Sequence, residues 1–183
     1  MMFWKKFLAV AERVGPTEGD TETVRRIVSR LEAMDPEKAR YVAAFAYILG
    51  RVAHADQDIS AQETSAMEAA VARFGGLREE ESILVVQIAK SQNRLVGGTE
   101  NFLVTREFSK IASQEQKAHL LDCLFAISAA DESISPTEES QIRQIASELG
   151  FSHRDYVVER SRYSKYREVM KSFRRKAEEG SAS

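Results

Sequence analysis

The chain has 183 residues, 43% of them hydrophobic and 30% charged, which fits one domain with enough apolar material for a core. Nine Gly and three Pro exclude collagen-like and low-complexity classes and argue against a turn-rich β sandwich. The formal net charge of −2 hides an asymmetry: residues 154–183 carry nine Lys/Arg against five Asp/Glu, a balance of +4, which leaves −6 for residues 1–153.

Cys123 is the only cysteine, so an intrachain disulfide and a multi-cysteine metal cluster are both excluded. No apolar run approaches the roughly 20 residues that span a bilayer. The opening Met1-Met2-Phe3-Trp4-Lys5-Lys6 leads into an apolar stretch shorter than a secretory core. The expectation is a soluble, cytoplasmic protein.

Residues 2–14 set Phe3, Trp4, Phe7, Leu8, Ala11 and Val14 on one helical stripe, ended by Gly15-Pro16. This helix suits docking on the body, or an interface with a membrane surface or partner. Asp20 or Thr21 caps a helix to about Met34, with Val24, Ile27, Val28 and Leu31 as its apolar face. Asp35-Pro36 gives a plain start signal. Behind it, Tyr41, Phe45, Ile48, Leu49 and Val52 cover a wide arc, which marks a central helix.

Ser60 opens the next helix, which carries Met67, Ala70, Val71 and Phe74 and stops at Gly75-Gly76. A further helix runs from about Arg78 to Asn93 with Ile83, Val86 and Ile88. Gly97-Gly98 separates two halves, and Thr99 caps a short helix holding Phe102, Leu103 and Phe108. Ser113 and Gln116 form a capping-box pair ahead of Leu120, Leu121, Leu124, Phe125 and Ile127. Ser135-Pro136 starts a helix with Ile142, Ile145, Ala146 and Leu149 inside, ended by Gly150. Ser152 caps a long terminal helix to about Lys176. No stretch alternates like a strand for long. The fold expected is all-α, one bundle of about eight to nine helices.

One pattern occurs twice. Ala55-Asp56-Gln57-Asp58-Ile59-Ser60-Ala61-Gln62-Glu63 returns as Ala130-Asp131-Glu132-Ser133-Ile134-Ser135-Pro136-Thr137-Glu138, at an offset of 75 positions. Phe45, Leu49, Val52, Met67 and Phe74 fall on Leu120, Leu124, Ile127, Ile142 and Leu149 at the same offset. Core positions therefore match core positions, as duplication of a helix–acidic turn–helix unit over about 36–77 and 111–152 requires. The body is expected over residues 20–153, flanked by an N-terminal helix and linker (1–19) and a basic helix with a disordered tail (154–183).

Much of each turn needs no ligand. Ser60-x-x-Glu63 and Ser135-x-x-Glu138 have capping-box spacing, worth about 1 kcal/mol each, and Ile59 and Ile134 can anchor the turns in the core. Asp56, Asp58 and Asp131 exceed that need, because an Asp at a helix end faces the negative pole of the macrodipole. Carboxylates clustered on a turn suit a divalent cation, calcium or zinc. An ordinary EF-hand is excluded by counting: with Asp56 first, Met67 would hold the last position, and with Glu63 last, Val52 would hold the first.

Helix, Ala-Asp-x-x-Ile-Ser-x-x-Glu, helix, in two copies, resembles the TerB-like family of tellurite-resistance proteins over about residues 36–163. That domain also occurs at the front of a membrane-anchored J-domain co-chaperone, although this chain has no His-Pro-Asp tripeptide. The resemblance implies a helical bundle without catalytic activity and a role in metal or oxyanion stress, at or near the inner membrane face. Carried over by position, its acidic site falls on Asp56, Glu63, Asp131 and Glu138, with Asp58 as a local addition. The family's Gly after the Asp is replaced by Gln57 and Glu132, and Ser133 stands where the first copy has Asp58.

Other residues point to structure rather than chemistry. His54, His119 and His153 lack cysteine partners at ligand spacing. Cys123 matches Ile48 and reads as a small buried hydrophobe. The terminal stripe of Tyr156, Tyr163, Tyr166, Met170 and Phe173 amid Arg160, Arg162, Lys165, Arg167, Lys171, Arg174, Arg175 and Lys176 suits packing on the bundle, or an anionic membrane surface. The expected partner is a protein, with a peripheral inner-membrane adaptor as the alternative. Nucleic acid is not the expected partner, and the oligomeric state is not fixed by the sequence.

Overall fold

The computed structural model describes residues 18–53, 61–91, 98–130, 133–164 and 167; inside its helices the side chains of 18–21, 23–24, 62–63, 91 and 98–100 stand outside the description. The described residues form eight helices and no strand. They are α1 (Glu18–Glu32), α2 (Pro36–Ala53), α3 (Ala61–Phe74), α4 (Glu79–Ser91), α5 (Gly98–Ile111), α6 (Gln114–Ser128), α7 (Pro136–Glu148) and α8 (His153–Arg162).

α2 lies at the centre. Every residue from Tyr41 to Gly50 is buried, which needs neighbours on all sides, and α4, α5, α6 and α7 supply them. Asp35 starts it as expected, its Oδ1 accepting from the backbone N–H of Glu37 at 2.9 Å and of Lys38 at 3.3 Å. Tyr41, Phe45 and Phe108 of α5 form an aromatic cluster with centroid separations of 5.3–6.1 Å.

The capping signals are realised at three helix starts. Ser113 with Gln116 and Ser135 with Glu138 form complete boxes. Ser152 does so with Asp155, whose carboxyl is held below its usual range by the Ser152 hydroxyl and N–H. The corresponding Ser60 lies outside the described residues, as does the whole N-terminal stripe from Phe3 to Val14.

The Gly75-Gly76 stop holds, with Gly76 (φ 61°) as its left-handed residue, one beyond the position that matches Gly150 (φ 88°), since α3 runs one residue further than its counterpart α7. Two expectations change. Ile83, Phe102 and Leu103 turn outward at 45–46% exposure. α4 and α5 face the core instead with Leu84, Val85 and Ile88, and with Val104, Thr105 and Phe108. The helix expected to reach Lys176 ends at Arg162, with Tyr163 as its C-cap. Tyr163 stacks on Phe125 at 5.3 Å, and Arg167 pairs with Ile134 as a single parallel β-bridge.

Gly76 is constrained twice. Its φ is left-handed, and a Cβ there would stand 2.6 Å from His119 Nδ1. At Gly150 the same conformation meets nothing within 4 Å. Gly150→Ala should therefore cost about 1 kcal/mol from conformation alone, and Gly76→Ala clearly more. Adding His119→Ala to Gly76→Ala should return the excess, as read by urea denaturation.

Candidate functional site

The described helix ends show where the acidic turns emerge. Cys123 Sγ on α6 lies 3.5 Å from the Ala70 carbonyl oxygen on α3, and His119 on α6 sits over Gly76. Advancing along α3 thus means stepping back along α6, so the two helices are antiparallel. Ala61 lies about 13 Å back from Ala70, and Ser128 about 8 Å on from Cys123, both toward the same end.

The partner helices agree. Lys38 at the start of α2 pairs with Glu81 at 3.1 Å, just past the end of α3, so α2 runs opposite to α3. Ser109 Oγ, just before α6, donates to the Leu149 carbonyl at 3.2 Å, so α7 runs opposite to α6. Ala53, Ala61, Ser128 and Ser133 accordingly mark one end of the bundle. The described flanks of both acidic segments therefore lie at that end.

Asp56, Asp58 and Asp131 lie outside the described residues, and so does the Glu63 side chain. Glu138 is described. Its Oε2 accepts from the Ser135 N–H at 2.8 Å, while Ser135 Oγ accepts from the Glu138 N–H at 3.2 Å. Ile134 anchors this turn at 2% exposure. Among the described residues no three of His, Cys, Asp and Glu gather as a metal site requires. His119 is engaged over Gly76, and His153 is exposed at the start of α8. Cys123 is fully buried and its thiol is pushed up by burial and by Asp122, so it packs as the small hydrophobe expected.

Three charged clusters were not anticipated from the sequence. The first joins the two units. Arg51 Nη1 donates to Glu148 Oε2 at 2.9 Å and to Thr105 Oγ1 at 2.6 Å, with both charged side chains under a tenth exposed. Gln144 steadies the other Glu148 oxygen at 2.9 Å, and the Tyr47 hydroxyl donates to Asn101 Oδ1 at 2.8 Å. The only sequence signal was a lone arginine closing an apolar helix.

The second is Glu81, whose side chain is 1% exposed and held by Arg78 and Lys38. Burial raises its pKa, but hydrogen bonds from Arg78 and Lys38 outweigh that and hold the carboxyl below its usual range. The third lies beside α8. Glu139 takes Arg160 at 3.1 Å and Arg167 at 2.7 Å, while Arg162 meets Glu159 at 2.8 Å and Asp122 at 3.5 Å. Burial and the neighbouring Asp122 raise the Glu159 carboxyl, and Arg162 opposes them. Arg160 and Arg167, which the helical stripe sets on a solvated face, are therefore turned into the fold, while Arg162 keeps 58% of its side chain exposed.

At the opposite end, an open groove of about 430 Å³ is lined by Asp35, Glu37, Lys38, Arg40, Tyr41, Ile111 and Gln116. Asp35 is already spent on its cap. Among the described residues no helix is long and apolar enough to cross a membrane.

A family model described as tellurite resistance protein TerB matches residues 42–160, a span that takes in the first helix–turn–helix unit from Val42 on and the second whole, and ends inside α8. No curated protein and no solved structure matches the chain.

Two outcomes test these clusters. Arg51→Met strands the Glu148 carboxylate and should cost about 3–5 kcal/mol in urea denaturation, whereas Arg51→Met with Glu148→Met should cost less than the single change. Glu81, with its folded pKa depressed, stabilises above the unfolded carboxylate range and loses that contribution as pH falls through the folded value. Glu81→Gln should lower stability at pH 7 and flatten the acid limb of the stability–pH curve.

Proposed function

The chain belongs to the tellurite resistance protein TerB family, and from that membership we propose that it is a non-enzymatic stress-response module that binds a divalent cation at its acidic end and a protein partner. The observation that carries this reading is the shared end of the bundle. The flanks of both acidic segments point there, fixed by the Ala70–Cys123 and Gly76–His119 contacts. Asp56, Asp58, Glu63, Asp131 and Glu138 would thus be delivered to one region by two copies of one unit.

Hard cations take six or more oxygens from carboxylates, carbonyls and water. With one oxygen from each carboxylate neither turn alone reaches that number, whereas the five carboxylates named from the two turns approach it. The turns also contain four helix termini of mixed polarity: α2 and α6 end there, and α3 and α7 begin there. The positive pole of α7 is served by its Ser135/Glu138 box, and Ser60-x-x-Glu63 has the same spacing ahead of α3. The aspartates on the carboxyl-terminal side of α2 and α6 have no such use, and a cation would neutralise them.

The competing reading is peripheral attachment to an anionic membrane through the N-terminal stripe and the basic tail. Arg160, Arg162 and Arg167 are drawn into ion pairs with Glu139, Glu159 and Asp122, which lowers the charge that tail can offer a surface. Recovery with anionic vesicles at low salt would favour that route.

Calorimetric titration with calcium, zinc and manganese checks the cation. Saturable binding is expected for the natural chain, with loss of tenfold or more in affinity on Asp56→Asn with Asp131→Asn. Heats identical in the two proteins would end the cation reading.

A further inference from the structure

We propose that Tyr163 and Arg167 act as a strap that holds Ile134 and with it the described part of the second acidic turn, Ser133 to Glu138. Three contacts hold it. Arg167 forms a β-bridge with Ile134, the buried anchor of the turn. Its Nε donates to Glu139 Oε2 at 2.7 Å, and Arg160 occupies the other oxygen at 3.1 Å. The Tyr163 ring stacks on Phe125 with an interplanar angle of 10°.

The break after Arg162 is what makes this grip. In a continuous helix Arg160 and Arg167 would sit about 10 Å apart along the axis. Instead Tyr163 N–H closes on the Arg160 carbonyl and Arg167 N–H on that of Ser164, and both arginines reach one carboxylate. That carboxylate is 9% exposed, so its charge is little screened by solvent.

The strap treats the two turns differently. At the offset of 75 the counterpart of Glu139 is Thr64, so the first unit has no carboxylate at this position. The strap also lies past residue 160, where the family match ends. It thus acts on one of two duplicated turns. Its influence on a ligand rests on the cation reading above; its hold on the turn does not.

Releasing the strap leaves Ile134 without its backbone partner, so the turn must be ordered anew by whatever binds it. Coupling of this kind shifts affinity by about 5- to 150-fold. Arg167→Gln in the full chain separates strap from charge, because removing a cation's repulsion alone would tighten metal binding.

Two measurements decide the matter. Hydrogen exchange at the Ser133, Ile134 and Ser135 amides should quicken tenfold or more in Arg167→Gln while α3 stays as it was. An unchanged turn, or a rise spread across α2 and α6, overturns a local strap. Manganese titration should show binding at least fivefold weaker in the variant, and tighter or equal binding overturns the coupling. If manganese binds neither protein, the cation reading falls and hydrogen exchange alone still decides whether the strap holds the turn.

Discussion

The complete burial of α2 is the constraint on which the fold depends. A helix with no exposed residue from Tyr41 to Gly50 cannot be covered by the helix that follows it in sequence. It needs a ring of neighbours, and the second unit supplies α6 and α7 while the linking helices supply α4 and α5. Duplication solves the problem because each copy brings a wide apolar face that the other can cover. Arg51 is where the apolar stretch meets its limit: the first charge after it has no water to face and so takes Glu148 from the far copy. A buried pair of this kind adds little net stability, but it penalises any register in which the copies are displaced.

Much of this could be read from residues. Asp35-Pro36, Ser113-x-x-Gln116, Ser135-x-x-Glu138 and Ser152 are local signals whose chemistry is complete within four residues, and the structure realises each. The repeat offset gave the pairing of core positions, and Met67, Val71, Leu120, Leu124, Ile142 and Leu149 are all buried. What failed depends on distant partners. Tyr163 reads as helical until Phe125 is present to stack on it. Arg160 and Arg167 read as a solvated face until Glu139 is present between them. Ile83, Phe102 and Leu103 are apolar in a period that a helix can present to either side, and only the position of α2 selects Leu84 and Phe108 for the inside. The acidic site was legible as a pattern, and of its residues the described structure reaches the side chain of Glu138 alone.

Internal symmetry is kept in the core and lost at the charges. Ala70 and Cys123 meet across α3 and α6, and the same offset relates them to Ile145 and Ile48, both without exposed surface in the packed pair α7 and α2. The polar partners do not repeat. Arg51 falls on Ala126, Glu148 on Arg73 and Glu139 on Thr64. Packing tolerates little change because a buried side chain touches many others at once. A charge that finds its partner in another element, as Arg51 does in Glu148 and Glu139 in Arg160 and Arg167, can be gained by one copy without disturbing its twin.

That divergence bears on function. Two identical turns at one end of a bundle would be expected to respond alike to a ligand. Here one of them is followed by Glu139, which collects Arg160 and Arg167, and its Ile134 is backed by the returning chain. The other is followed by Thr64. A cation shared between the turns would then meet one side whose shape is already set and one whose order does not draw on that grip. For a site shared between the turns, as proposed above, the asymmetry would let the chain after α8 act through the backbone at Ile134 with no change to either copy's acidic residues.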